Sequence, residues 1–139
     1  MENLKRFYSH IKGVIWFLKL KNRQEISVGS IIEKQAVKYK DKALILFEDR
    51  KITYKEFNES ANRYSHLFQK RGFIKGDTVA LLMDNRPEFL IIHAGLAKIG
   101  VVPALVNNNI KGQTLVHSVF IAEARALIIG YEYLEDISK

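Results

Sequence analysis

The sequence predicts an α/β fold: a βαβαβ parallel-sheet unit preceded by a helix and a β-hairpin. Three observations carry this. Short apolar runs at Thr78–Met83, Val101–Val106 and Ala126–Ile129 alternate with longer stretches of helical periodicity. That alternation implies parallel strands joined by right-handed crossovers. Upstream, Ala43–Phe47 and Lys51–Thr53 are two short apolar runs separated by Glu48-Asp49-Arg50, the pattern of a hairpin.

Taken in order, residues 24–40 read as a helix with Ile31, Ile32, Gln35, Ala36 and Tyr39 along one side and Ser27 as its cap. The hairpin follows. Thr53-Tyr54-Lys55-Glu56 is a capping box, in which Thr53 and Glu56 satisfy each other's backbone N–H groups. The helix it opens directs Phe57, Ala61, Tyr64, Leu67 and Phe68 inward, and Gly72 suits the left-handed residue past its end. Thr78–Met83 is apolar throughout, as a strand covered on both faces must be. Asn85 and Pro87 mark the next helix start, with a stripe of Phe89, Ile92, Leu96 and Ile99, and Gly100 ends it. Pro103 lacks a ladder donor and belongs near a strand start or at an irregularity. Residues 113–123 form a helix carrying Leu115, Val116, Val119 and Phe120, and Gly130 stops the last strand.

Ligands of parallel sheets bind outside the carboxyl ends of the strands. Those ends here are Met83–Arg86, Val106–Ile110 and Gly130–Tyr131. Arg86 is the one cation at the first of them, and it serves either a ligand or the neighbouring Asp84 and Glu88.

The chain has 139 residues and a formal charge of +7. Residues 1–23 contain Lys5, Arg6, Lys12, Lys19, Lys21 and Arg23 against Glu2 alone, so most of the excess lies there. The remaining 116 residues are nearly balanced. Terminal charge without a basic–aromatic surface in the body argues against nucleic acid. Leu4, Phe7, Tyr8, Ile11, Val14, Ile15 and Leu18 make a continuous stripe at helical spacing, with Trp16 and Phe17 widening it. Residues 1–23 therefore read as a basic amphipathic helix, a candidate membrane anchor. Phe7, Ile11, Ile15 and Trp16 would enter an anionic surface while Lys5, Arg6, Lys12 and Lys19 meet its head groups. The alternative is a helix docked on the protein's own body. Lys12 breaks any signal-peptide apolar core, and no 18-residue uncharged stretch exists to span a bilayer.

With zero cysteines there is no disulfide scaffold and no Cys-ligated metal site. The four histidines lack metal spacing, so no metal site is expected. Gly95 and Gly100 are spaced like a phosphate loop, but Val101-Val102 follows where Lys-Ser/Thr is needed, and both read as packing and termination glycines. No complete active site is present in these residues.

Residues 47–58, Phe-Glu-Asp-Arg-Lys-Ile-Thr-Tyr-Lys-Glu-Phe-Asn, then Ala61-Asn-Arg63 and residues 76–89, Gly-Asp-Thr-Val-Ala-Leu-Leu-Met-Asp-Asn-Arg-Pro-Glu-Phe, resemble the opening of AMP-forming acyl-CoA synthetases. Residues 95–109 and Ala124–Ile128 are similar to the fatty acid transport protein branch, the very-long-chain acyl-CoA synthetases. The resemblance covers about 100 of the 139 residues. It implies that the fold is the N-terminal part of the large domain of an adenylate-forming enzyme, with residues 24–139 a partial AMP-binding domain incomplete at its C-terminus. It also implies a two-step ligase. ATP and a fatty acid, with Mg, give an acyl-adenylate; CoA then displaces AMP to leave a thioester.

The family's Ser/Thr/Gly-rich phosphate loop, ribose-binding aspartate and C-terminal lysine are not in this sequence. The expectation is thus an N-terminal fragment, inactive alone, binding neither ATP, CoA nor Mg tightly without the remainder of the synthetase. In some relatives a basic residue after the Val101–Val106 strand lies near the CoA phosphates. Asn109 matches that position, with Lys111 two residues on as a substitute cation; Arg86 is the third cofactor-side candidate. The basic amphipathic segment makes a peripheral membrane location on the cytoplasmic side the expectation. The competing reading is a non-catalytic peripheral membrane or lipid-binding module of the same fold.

Overall fold

The computed structural model describes residues 27–134. The basic segment with its membrane-facing candidates Lys5, Arg6, Phe7, Ile11, Lys12, Ile15, Trp16 and Lys19 lies outside the described residues.

Helix α1 (Val28–Tyr39) leads into strand β1 (Ala43–Phe47), which pairs antiparallel with β2 (Arg50–Thr53). Helix α2 (Tyr54–Lys70) follows directly, then β3 (Thr78–Leu82), α3 (Pro87–Lys98), β4 (Val102–Leu105), α4 (Gly112–Ile121) and β5 (Ala126–Ile129). A single 3-10 turn, Tyr131–Tyr133, follows β5 at the end of the described residues. β3 is the central strand of a parallel three-stranded sheet in the order β4-β3-β5. The α/β architecture, the hairpin and the βαβαβ unit therefore match the sequence expectation.

Local chemistry explains each boundary. Ser27 caps α1, accepting from the Ser30 N–H at 3.0 Å while Ser30 Oγ accepts from the Ser27 N–H. At α2, Thr53 Oγ1 accepts from the Glu56 N–H and Glu56 Oε2 accepts from the Thr53 N–H at 2.8 Å, the expected capping box. Gly72 and Gly100 take φ of 78° and 73°, left-handed positions that end α2 and begin the exit from α3. The helix start marked by Asn85 and Pro87 is borne out: Pro87 is the first helical residue of α3, and Arg86 precedes it as an extended cap without a side-chain hydrogen bond. One expectation is corrected. Leu67 is 40% exposed, because its position on α2 falls past the edge of the helix–helix contact.

The main core lies between β3 and the α2–α3 pair. Val79, Leu81 and Met83 point to that side and meet Phe68, Ile92, Leu96 and Val101. A second cluster joins Ile52 of the hairpin to Phe57, Ala61, Ile91 and Ala94. The alternate β3 residues Ala80 and Leu82 are also buried, on the opposite face. Right-handed crossovers put α3 and α4 on opposite faces of the sheet, because the chain moves from β3 to β4 and then back across β3 to β5. α4 covers its face thinly: Leu115 is its one buried residue, while Val116 and Phe120, expected on its apolar side, are exposed. Pro103 occupies the edge strand β4 opposite Val79, a place where a missing donor is tolerated. Among the described residues no helix is long and apolar enough to cross a membrane.

Candidate functional site

The reversal of direction after β4 defines where a ligand crevice opens. β3 sends its chain to one face and β4 sends its chain to the other, so their carboxyl ends separate at a topological switch point. Asp84 stands just past β3 and Asn108 just past β4. Asn108 Nδ2 donates to Asp84 Oδ1 at 2.9 Å, across that crevice. Tyr133, in the turn after β5, donates its hydroxyl to the same Asp84 oxygen. The Asp84 main-chain N–H donates to Glu132 Oε1 at 2.9 Å. The Tyr133 hydroxyl, then the Asn108 amide and the Arg86 charge, hold the Asp84 carboxyl below its ordinary range. The same contact, with Asp84 as the main cause, holds the Tyr133 phenol above its ordinary value.

Arg86 lies at the rim of this group. Its guanidinium is 3.3 Å from Glu132 Oε2 and sits 5.1 Å from the centre of the Tyr131 ring. Arg86 Nε and Glu132 Oε2 are buried and find no hydrogen-bond partner in the protein, so the pair is ionic rather than a closed fork. Arg86 thus braces the edge through Glu132, not through Glu88. Glu88 instead meets Arg50 of β2 at 2.8 Å. Burial, which would raise the Glu88 carboxyl, is outweighed by Arg50 and its own backbone, and the net effect is downward. Gly130 makes room for Glu132, since a Cβ there would collide with its carboxylate. Asp84, Arg86, Glu88, Tyr131 and Glu132, with Arg50, line a cleft of about 490 Å³ between the hairpin turn at Phe47–Glu48 and the strand ends; Asn108, Tyr133, Asn109 and Lys111 are not among its lining residues.

Asn109 and Lys111 occupy the loop on the β4 side. The Asn109 main-chain and side-chain N–H groups both donate to Asn107 Oδ1, at 2.9 and 3.2 Å. Its amide is therefore engaged in shaping the loop. Lys111 is the N-cap residue of α4 and is exposed. An exposed cation at a helix start is chemically suited to phosphate oxygens, so of the two loop candidates Lys111 fits a phosphate better than Asn109. No group of three or more His, Asp or Glu residues suited to a metal ion occurs among the described residues.

Sequence reading located the three strand ends but missed Asp84, Asn108, Glu132 and Tyr133 as one group. The partners of Asp84 are 24, 48 and 49 residues away, and no local motif signals them. The only available sign was a polar residue directly after two of the apolar runs, Asp84 after Met83 and Asn107 after Val106.

Comparison with known proteins agrees with this architecture. Residues 32–139 match the family described as AMP-binding enzyme. The chain is 28% identical over 129 residues to the medium/long-chain-fatty-acid–CoA ligase FadD6 of Mycobacterium tuberculosis, covering 93% of this chain and 22% of the ligase. It is 31% identical over 138 residues to human long-chain fatty acid transport protein 6, covering 96% of this chain and again 22% of the relative. Among solved structures, the N-terminal domain of FACL13 from Mycobacterium tuberculosis, bound to an inhibitor, superposes with a TM-score of 0.76 at 26% identity, over 81% of this chain and 29% of that one. The NpsA N-terminal subdomain of Klebsiella oxytoca, in complex with 3-hydroxybenzoyl-AMSN, gives 0.73 at 31% identity, over 79% and 27%. The chain thus spans about a fifth of the length of the two curated relatives. With the matched span running from α1 through the whole βαβαβ unit, the chain belongs to the AMP-binding enzyme family.

Proposed function

We propose that this chain is the N-terminal portion of a long- or very-long-chain fatty acyl-CoA synthetase. The complete enzyme would use ATP and Mg to convert a fatty acid to its acyl-adenylate, and CoA would then take the acyl group as a thioester. The observation that carries this reading is the family match over residues 32–139, together with relatives named as fatty acid–CoA ligases and transport proteins. In it, residues 24–139 supply the first sheet unit of the adenylating domain. The crevice between Asp84 and Asn108 faces the ligand side, and Lys111 offers a charge to CoA phosphates. Arg86 acts as a brace of that edge. Residues 1–23 bring the enzyme to the cytoplasmic face of an anionic membrane, where fatty acids partition. That role rests on their apolar stripe and basic excess.

The test is a chimera in which residues 1–139 replace the matching segment of the FadD6 ligase. Purified chimera, verified as folded by a cooperative melt, is expected to form oleoyl-CoA from ATP, oleate and CoA. Residues 1–139 alone are expected to form none. A folded chimera without fatty-acid-dependent thioester formation contradicts the assignment. Turnover by the homogeneous 139-residue chain contradicts the view that it lacks the catalytic parts.

A further inference from the structure

Asp84 is the residue at which the segments after all three parallel strands meet. It follows β3 itself. Its Oδ1 accepts from Asn108, past β4, and from the Tyr133 hydroxyl, past β5. Its main-chain N–H holds Glu132 of the same turn. This edge is solvent-facing: Asp84, Asn107 and Asn109 are exposed, and Tyr131 is 76% exposed.

From this junction we infer that Asp84 is a positioning residue, a carboxylate latch that couples the Asn107–Ile110 loop to the Tyr131–Tyr133 turn beside the crevice at the carboxyl ends of β3 and β4. A carboxylate oxygen pinned by two donors cannot swing without breaking one of them. Loss of either donor leaves one bond on that oxygen where two stood, so loosening at the turn reaches the loop through Asp84. What the latch positions rests on the reading that this crevice is the ligand side; the coupling itself does not.

The chemistry bounds the latch on both sides of neutrality. The groups facing Asp84 are Arg86 on its own segment, Asn108 past β4, and Glu132 and Tyr133 past β5. With its carboxyl held low, Asp84 remains an acceptor until the pH falls below the ordinary carboxylate range. With its phenol held high, Tyr133 remains a donor to a pH above its ordinary value of about 10. The latch is strongest between those limits and weakens beyond each.

The experiment is amide hydrogen exchange by NMR on the ligand-free 139-residue chain at neutral pH. Tyr133→Phe removes one donor and nothing else. The Asn109 and Ile110 amides are expected to exchange about fivefold faster, the loss of one modest hydrogen bond, while β3 amides stay unchanged. Added to Asp84→Ala, the same change should have no further effect on the loop. Carbon-13 titration supplies a readout that simple packing would not move. The Asp84 carboxyl midpoint should rise in Tyr133→Phe, and the Asn108 side-chain amide carbon should follow the Asp84 midpoint in the parent chain. If Asp84→Ala does not fold, the Tyr133→Phe exchange and titration results decide alone. Loop exchange within twofold of the parent in Tyr133→Phe, or an unmoved Asp84 midpoint, overturns the latch. Because no ligand is present, its failure leaves the chimera result untouched, and the converse also holds.

Discussion

The hydroxyl of Ser65 donates to the carbonyl oxygen of Gly95 at 2.8 Å, tying α2 to α3 inside the core. Ser65 is 5% exposed and is the one buried polar residue recorded in the described core. The bond is possible because Gly95 has no side chain. A Cβ there would stand 2.7 Å from both the Ala61 carbonyl oxygen and Tyr64 Cβ. The glycine thus lets two backbones approach, and the serine satisfies the carbonyl that the approach buries.

The first prediction is that Gly95→Ala destabilises the chain. Backbone, not a flexible side-chain tip, blocks the added methyl, so the helices must separate. The cost is expected at about 1–3 kcal/mol, the range for overpacking. Ser65→Ala should cost about 1 kcal/mol for its lost hydrogen bond. Urea midpoints at constant slope measure both. A Gly95→Ala midpoint equal to the parent's would show that this helix contact yields without strain.

Lys98 and Glu33 give the second. Lys98 Nζ meets Glu33 Oε1 at 2.6 Å, with the lysine side chain 5% exposed and the glutamate 59%. Gly29 of α1 lies against the Lys98 backbone, leaving the lysine stem little room to turn away. Glu33→Gln should therefore strand a buried ammonium and cost about 1–2 kcal/mol, between the values for exposed and buried pairs. Lys98→Met keeps the stem and removes the charge, so it should cost less. Equal losses in the two variants, measured by denaturant titration, would mean that packing rather than charge dominates here.

Acid sensitivity is the third. Glu56 is held below its ordinary range chiefly by the Thr53 backbone N–H, then by the Thr53 side chain. Asp84 is held low by Tyr133 and Asn108. Both folded values lie below the unfolded ones. Their stabilisation is therefore complete above the ordinary carboxylate range of about 4 and is lost as pH falls through the lowered folded values. Urea midpoints recorded from pH 7 down to pH 3 should fall steeply at the acid end. Glu56→Gln and Asp84→Asn should each flatten that fall, and an unchanged profile in both would refute the linkage.

The fourth concerns residues 1–23. Trp16 is the only tryptophan in the chain and borders the apolar stripe, so its emission reports burial. Mixing with phosphatidylglycerol vesicles should shift emission to the blue, neutral vesicles should do so less, and high salt should weaken the effect. Ile11→Glu with Ile15→Glu should abolish it. Absence of the shift, or unfolding of the body by those two changes with partitioning intact, would assign the stripe to the protein's own surface.

Much of the fold was legible because its signals are local. The Thr53–Glu56 box, Pro87 at the first helical position, and the left-handed Gly72 and Gly100 are each written within four residues. The apolar run at Val79–Leu82 likewise announced a strand covered on two faces. The β4-β3-β5 order was less accessible, because right-handed crossovers fix handedness without fixing which edge the third strand joins. Val116 and Phe120 had helical spacing yet lie exposed, since periodicity marks an apolar side without saying what covers it. At the candidate site, Arg86 could be located at a strand end, but its partner Glu132 is set by the sheet's register and not by any nearby residue.

If residues 24–139 form part of a fatty-acid-adenylating domain, as proposed, the first half-reaction of the whole enzyme should report it. The most direct measurement is oleate-dependent exchange of labelled pyrophosphate into ATP by the folded chimera, with CoA absent. Exchange isolates the first half-reaction from thioester release and from any membrane effect. Exchange should require both oleate and Mg and be missing from the 139-residue chain alone. A folded chimera that exchanges no pyrophosphate with oleate, while the parent FadD6 ligase does so under the same conditions, would contradict it.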